Sequence, residues 1–216
     1  QMISYEISMG LSVMGILMVY GTFELQEIAR GQGMLVRELL PQGLAFLGPV
    51  IGWLPAWGIF LQPLRFLLFF TSAVAETKRI PFDLPEGESE LVAGYHVEYS
   101  GGKFLMFFAG EFAEIVTAAG LVTTLFFGGW QVPYLMRDGF HFPGGAQWLL
   151  SHYTVVALQV GAFTLKVLFF CWLQILLRWS VPRFRYDQVM RLGWKMMLPL
   201  ALVNVMITAL VIIAAQ

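Results

Sequence analysis

The hydrophobic residues of this chain are gathered into long runs that short polar stretches separate. Five of these runs approach the ~20 residues that a helix needs to cross a bilayer. They cover about residues 5–23, 52–75, 103–127, 154–177 and 195–215. The pattern predicts an all-α fold, a polytopic transmembrane helix bundle with about five spans, in a single domain over residues 1–216.

The segments within and between these runs give further predictions. Pro55 and Pro63 fall inside the second run, where proline is tolerated if neighbouring groups satisfy the freed backbone. The apolar stretch 39–51 is too short to span after Pro41, so we expect an interfacial or re-entrant piece. We expect segment 137–153 to be an outward loop with interfacial aromatic residues. The sequence shows no internal repeat of about 20–50 residues, which argues against solenoids and inverted-repeat transporters.

Lysine and arginine are distributed unequally between the two sides of the membrane that five spans define. One side holds loops 76–102 and 178–194, with eight basic residues in or beside them, and the other holds 24–51 and 128–153, with three. The eight are Lys78, Arg79, Lys103, Arg178, Arg183, Arg185, Arg191 and Lys195. Because cytoplasmic loops carry the excess of positive charge, the first pair of loops is predicted to face the cytoplasm or matrix.

Composition excludes several classes of protein. Of the 216 residues, 58% are hydrophobic and 12% are charged, which is about half the charge of a typical soluble domain. Cys171 is the only cysteine, so the chain can form neither a disulfide framework nor a multi-thiolate metal or iron–sulfur site. The net charge of −1 argues against nucleic acid as a partner. No basic segment with a cleavage site follows Gln1, so no signal peptide is predicted.

Ionisable side chains inside the predicted spans are candidates for function, because each costs at least ~2.5–3.5 kcal/mol at the centre of a membrane helix. Glu111 and Glu114 are three residues apart, which places both carboxylates on one helix face. Lys166 lies near the middle of its span, and Glu6 lies near a membrane face. These residues predict a proton path, although a structural ion pair between Glu111 and Lys166 is an alternative. Arg65 is interpreted as a lipid-headgroup contact or a pin between helices.

Residues 76–102, ETKRIPFDLPEGESELVAGYHVEYSGG, form the most informative segment. Proline stiffens its first half, glycine allows tight backbone geometry, and three aromatic residues suggest that the loop packs on another surface. Its carboxylates are Glu76, Asp83, Glu86, Glu88, Glu90 and Glu98. From the residue pattern alone, a solvated acidic face is the default interpretation.

This loop resembles the signature of the quinone-site membrane subunit of respiratory complex I, the mitochondrial NADH dehydrogenase subunit 1 family. Three further stretches agree with that family: QMISYE at the start of the first span, GEF at 110–112, and VPRFRYDQVMRLGWK at 181–195. The resemblance covers essentially all 216 residues in order. Family members have eight spans, so it implies that this chain corresponds to the C-terminal five.

The resemblance implies a subunit at the junction of the membrane and peripheral arms of NADH:quinone oxidoreductase, in a bacterial plasma membrane or mitochondrial inner membrane. Such a subunit lines quinone access and links quinone reduction to proton translocation. Quinone is then the substrate at the junction, whereas NADH, FMN and iron–sulfur clusters belong to partner subunits. The implied partners are the peripheral-arm quinone-site subunits, the small membrane-arm subunits and the lipid bilayer. No catalytic group or metal ligand is expected in this chain.

The residues with expected roles form two sets. The quinone-cavity and loop residues are Arg79, Phe82, Asp83, Glu86, Glu88, Glu90, Arg178, Arg183 and Arg185. The proton-path residues are Glu6, Glu98, Glu111, Glu114 and Lys166. The resemblance places Glu6 and Glu111 in the family's buried carboxylate path, whereas the family pattern does not require Glu114, which is included for its spacing.

Three other functions remain open from the sequence. The nearest is the equivalent subunit of an ion-pumping membrane hydrogenase. A secondary ion transporter would require repeat symmetry that the sequence does not show clearly. A purely structural anchor for the peripheral arm would leave the cost of the charges within the membrane unexplained.

Overall fold

The computed structural model describes residues 2–39, 52–78, 80–83, 97–136, 138–141 and 147–215. Helices account for most of this part of the chain. They are α1 (Met2–Tyr20), α2 (Leu25–Gly31), α3 (Val36–Leu39), α4 (Gly58–Leu61), α5 (Pro63–Glu76), α6 (Gly102–Phe126), α7 (His152–Ser180), α8 (Tyr186–Arg191), a π-helix (Leu192–Met197) and α9 (Leu198–Ala215). The α8, π and α9 segments follow one another without a break.

Four helical segments of the described chain are long and apolar enough to cross a membrane: Ile3–Tyr20, Gly102–Phe126, His152–Ser180 and Tyr186–Ala214. Many apolar side chains of α6 and α7 lie on the surface of the bundle, which is expected where lipid rather than water surrounds a helix. The prediction of an all-α polytopic membrane bundle is therefore confirmed, with a number of spans close to the predicted one.

The second predicted span, 52–75, forms two helices instead of one. The short α4 ends at Leu61, and Gln62 leaves the helical conformation with φ −144° and ψ 66° before α5 begins at Pro63. Proline has no N–H to donate to the preceding turn, so it starts a helix more easily than it continues one. The 14 residues of α5 extend only about 21 Å, which is less than the hydrocarbon core of a bilayer.

A small antiparallel β-sheet connects α6 to α7, where the sequence predicted an outward loop. Its strands are β1 (Leu135–Met136), β2 (Gly139–His141) and β3 (Gln147–Leu149) in the order β1-β2-β3. Phe140 is the partner of Leu135 on one side and of Trp148 on the other.

The bundle has two polar ends separated by an apolar core. We call the end formed by residues 76–78, 80–83, 97–101 and 181–191 the loop end, and the end formed by residues 21–39, 52–57, 127–136, 138–141 and 147–151 the hairpin end. Between them, Phe66 packs edge-on against Phe126, Phe127 and Phe170 at 5.5–6.3 Å between ring centroids. These ring contacts join α5, α6 and α7 near the hairpin end.

Helix α1 crosses α5 and α9 through a face of small residues. Ser4, Ser8 and Ser12 are buried on this face. The Ser8 and Ser12 hydroxyls each donate to the carbonyl four residues earlier, at 3.4 and 2.8 Å, so they need no partner on another helix. Gly15 continues the face, and the Arg65 guanidinium lies against it.

Arg65 is turned into the bundle instead of towards lipid headgroups. Its side chain is buried, and its Nη2 donates to the Asn204 carbonyl at 3.1 Å and to the Thr208 hydroxyl at 2.8 Å. Of the two interpretations drawn from the sequence, the structure supports a pin between helices, here α5 and α9.

Replacing Gly15 with alanine should destabilise the bundle, because a Cβ at this position would overlap the Arg65 guanidinium. We expect a loss of about 1–3 kcal/mol, the usual cost of overfilling a packed site, measured by unfolding of the purified protein in detergent. Gly10→Ala is the matched control on the same helix, since a Cβ at Gly10 would meet no atom within 4 Å. Equal effects of the two substitutions would contradict this account.

Candidate functional site

The segment that follows α5 is fixed at the loop end by aromatic contacts. Phe82 is buried, with its ring centroid 5.5 Å from that of Tyr5 and 5.5 Å from that of Phe184. The Phe184 N–H donates to the Pro81 carbonyl at 3.3 Å. The start of the acidic loop, the segment before α8 and the first turn of α1 therefore form one packed unit.

Several charged residues lie next to this packed unit. Asp83, whose side chain is 2% exposed, forms a 3.9 Å salt bridge with Arg183, whose side chain is 36% exposed. Arg178 lines a crevice with Thr77 and Ile80, whereas the Arg185 side chain is exposed. Four residues of the predicted quinone-cavity set, Phe82, Asp83, Arg178 and Arg183, thus lie on segments that meet at the loop end.

At the same end, Glu76 lies within electrostatic range of carboxylates on two other helices. Glu6 of α1 and Glu114 of α6 both repel the negative charge of Glu76, the last residue of α5. Glu6 and Glu76 also line a cavity of about 520 Å³ whose other walls are mainly apolar, with Met9, Val13, Phe69 and Leu121 among them. Burial first, and then the like charges of Glu114 and Glu6, raise the pKa of the Glu76 carboxyl.

Glu76 is the member of this cluster to which the sequence analysis gave no role. It was counted only among the carboxylates of the acidic loop. Its position offered a signal, because the end of the second predicted span and the start of the first lie on the same side of the membrane. Glu76 and Glu6 could therefore have been expected at one level of the bundle, although not in proximity.

The other proton-path residues lie at different distances from this cluster. Glu111 and Glu114 are both partly buried on the continuous helix α6, where a spacing of three gives them a common face. Glu98 is exposed in the short turn that precedes α6. Arg79, Glu86, Glu88 and Glu90, the remaining predicted loop residues, lie outside the described residues.

Lys166 is located at the hairpin end, away from the carboxylates. Its Nζ donates to the backbone carbonyls of Phe127, Gly129 and Gln131 at 2.7, 3.1 and 2.7 Å. Phe127 lies 16 residues after Glu111, or about 24 Å along a helix axis. The structure therefore does not show the ion pair between Glu111 and Lys166 that the sequence left as an alternative.

Within the described residues, no group of three or more His, Cys, Asp or Glu side chains could hold a metal ion. The chemistry available at the loop end is instead that of charge. Carboxylates within electrostatic range of one another can exchange protons, and arginine side chains can stabilise negative charge. Fold and site together define a multi-pass membrane protein with carboxylates of three helices near the packed segment 80–83 at one end of the bundle.

Comparison with known proteins identifies its family. The sequence pattern of the NADH dehydrogenase family matches residues 1–209, and the chain belongs to that family. It is 49% identical over 221 residues to the NADH-quinone oxidoreductase H subunit of Bdellovibrio bacteriovorus, covering 100% of this chain and 56% of that protein. The H subunits of the same name from Koribacter versatilis and Thermomicrobium roseum are each 44% identical, over 97% and 98% of this chain and 51% and 52% of theirs. The chain spans about half the length of these curated relatives.

Replacing Tyr5 with phenylalanine should loosen the loop end. The buried Tyr5 hydroxyl donates to the Val189 carbonyl at 2.8 Å, and its loss leaves that carbonyl without this donor, at a cost of about 1–2 kcal/mol. If the segment opens locally, trypsin should cleave after Arg183 and Arg185 roughly 5–30 times faster in the folded protein. Tyr153→Phe, at an exposed tyrosine, is the control; unchanged cleavage in Tyr5→Phe would show that this hydrogen bond does not hold the segment.

Proposed function

We propose that this chain lines quinone access in a proton-translocating NADH:quinone oxidoreductase and links quinone reduction to a buried carboxylate path. The observation that carries the proposal is that Glu76, at the end of α5, is repelled by the charges of Glu6 on α1 and Glu114 on α6, at the same end as the packed segment 80–83. The names of the relatives, all NADH-quinone oxidoreductase subunits, favour this complex over the related membrane hydrogenases.

In this proposal the loop end faces the cytoplasm or the matrix. The basic residues of loops 76–102 and 178–194 support this orientation, and the contact of Phe184 with Pro81 and Phe82 is consistent with both loops lying on one side. Subunits of the peripheral arm would dock here and would hold NADH, FMN and the iron–sulfur clusters. Small membrane-arm subunits and lipid would cover the apolar faces of the bundle.

Quinone would reach the loop end from the bilayer, and its headgroup would be reduced near this chain by electrons from the partner subunits. Two electrons give the ring two negative charges before two protons convert it to quinol. Arg183, beside Asp83, and the arginines Arg79, Arg178 and Arg185 would stabilise that charge. Phe82 holds the segment in position through its contacts with Tyr5 and Phe184.

The transient negative charge would act on the acidic loop, which includes Glu86, Glu88, Glu90 and Glu98. Added negative charge disfavours ionised carboxylates, so the loop would take up protons. Because Glu6 and Glu114 both repel the negative charge of Glu76, a proton gained by either of them would lower the cost of ionising Glu76. Glu111 would pass the change further along α6.

Replacing Glu76 with glutamine tests this path, because glutamine keeps the shape of the side chain but cannot exchange a proton. We expect NADH:quinone turnover and proton uptake by membrane vesicles to fall by roughly tenfold or more. Electron input, measured as NADH–ferricyanide activity, should be unchanged. Glu6→Gln and Glu114→Gln should behave in the same way.

The matched control is Glu24→Gln, at an exposed carboxylate of the hairpin end, which should leave both activities unchanged. Full quinone turnover and full proton translocation in Glu76→Gln would exclude this carboxylate from the path. Purification of the complex tests the wider proposal: flavin and iron–sulfur subunits should accompany the chain, whereas a nickel–iron hydrogenase subunit would reassign it.

A further inference from the structure

The hairpin end of α6 contains a site in which three backbone carbonyl oxygens surround one positive charge. We call the carbonyls of Phe127, Gly129 and Gln131 the carbonyl cage. The Lys166 ammonium lies within hydrogen-bond distance of all three. The Trp57 ring covers it from another side, with its centroid 4.6 Å from Nζ, an arrangement that adds a cation–π contact.

Two glycines give the backbone the curvature that forms the carbonyl cage. Gly128 and Gly129 have φ values of +75° and +54°, which glycine adopts without the cost that a side chain would bring. The curved backbone brings every second carbonyl, at 127, 129 and 131, within reach of the same nitrogen. A side chain at Gly128 would also overlap the Trp57 indole, so this glycine makes room for the covering ring as well.

A neutral amide holds the backbone around the cage. Gln32 is buried, and its Nε2 donates to the carbonyls of Thr124 and Leu125 at 2.9 and 3.1 Å. Its Oε1 accepts from the N–H groups of Gly58 and Gly128 at 3.3 and 2.7 Å. The cage therefore has support besides Lys166, so shortening that side chain should loosen the cage without abolishing it.

The Lys166 ammonium has as many N–H donors as the carbonyl cage has acceptors. An ammonium group has three N–H donors and no acceptor, and the cage offers three carbonyls. The end of α6 also has the negative pole of the helix dipole, which attracts a cation. If Lys166 released a proton, one carbonyl would lose its donor at a depth where water is scarce.

We propose that the carbonyl cage is a binding site for a primary ammonium ion, and that Lys166 is its covalently tethered occupant. In this role Lys166 is a positioning residue: it stays charged and fixes the hairpin end of α6, whose other half bears Glu111 and Glu114. The proton-path role predicted from the sequence would require the opposite behaviour, repeated loss and gain of the proton. The inference does not depend on the proposed function of the loop end.

Shortening the side chain tests the site with a free ligand. Lys166→Ala removes three methylene groups and the ammonium, which together correspond to n-propylammonium. In the intact complex we expect amide hydrogen exchange in residues 122–131 to rise at least tenfold. Millimolar n-propylammonium should restore protection, whereas 1-propanol and tetramethylammonium, which lack the charge or the N–H donors, should not.

The control is Lys103→Ala, at an exposed lysine in the first turn of α6. This substitution should change neither exchange at 122–131 nor the response to propylammonium. Unchanged exchange in Lys166→Ala, or increased exchange that propylammonium does not reverse, would overturn the proposal. Lys166→Arg provides a second test if the alanine chain does not assemble. Arginine keeps the charge and N–H donors but cannot release a proton, so proton translocation per electron should be kept; its loss with normal assembly would identify a proton carrier instead.

Discussion

The hairpin end depends on one constraint, which is that backbone groups buried within a membrane protein must find partners inside the protein. Gln32 meets it with its full hydrogen-bonding capacity, two N–H donors and two acceptor lone pairs, each used by a different backbone group. The groups belong to α4, the end of α6 and the turn after it. Each would cost about 1–3 kcal/mol if buried without a partner, so one amide fixes its own segment relative to α4 and to the end of α6, which are both distant from it in sequence.

Polar groups at the two ends of the bundle are in opposite situations: backbone carbonyls at the hairpin end have donors, and the Glu76 carboxylate at the loop end is repelled by like charges. At the hairpin end, Gln32 and Lys166 satisfy every carbonyl that they contact, and nothing is gained by moving. At the loop end, Glu6 and Glu114 repel the negative charge of Glu76, and the energy of this arrangement depends on whether Glu76 holds a proton. A protein that responds to added charge needs a region whose protonation can change. It also needs a rigid part, here the hairpin end, that keeps its place while the charged region changes.

The sequence predicted the long helices well, because a bilayer requires runs of apolar residues that are visible in any single chain. The break at Gln62 was not predicted, since tolerance of Pro63 depends on neighbours that the sequence does not locate. Among the candidate site residues, Asp83 and Arg183 were named through a family resemblance, but their salt bridge was not predicted. The acceptors of Lys166 could not be foreseen, because they are backbone carbonyls in a Gly-Gly turn and no side-chain type marks them.

The π-helix between α8 and α9 shows how the spacing of buried positions selects a type of helix. Val189, Gly193, Met197 and Ala201 are all buried, and they recur every four residues. An α-helix has 3.6 residues per turn, so a period of four would rotate the buried stripe by about 40° with each repeat and carry it away from α1. The wider π turns over Leu192–Met197 absorb that rotation. The buried stripe therefore stays aligned with α1. One short π-helical stretch sets the rotation of α9 in the membrane relative to α8 at the loop end.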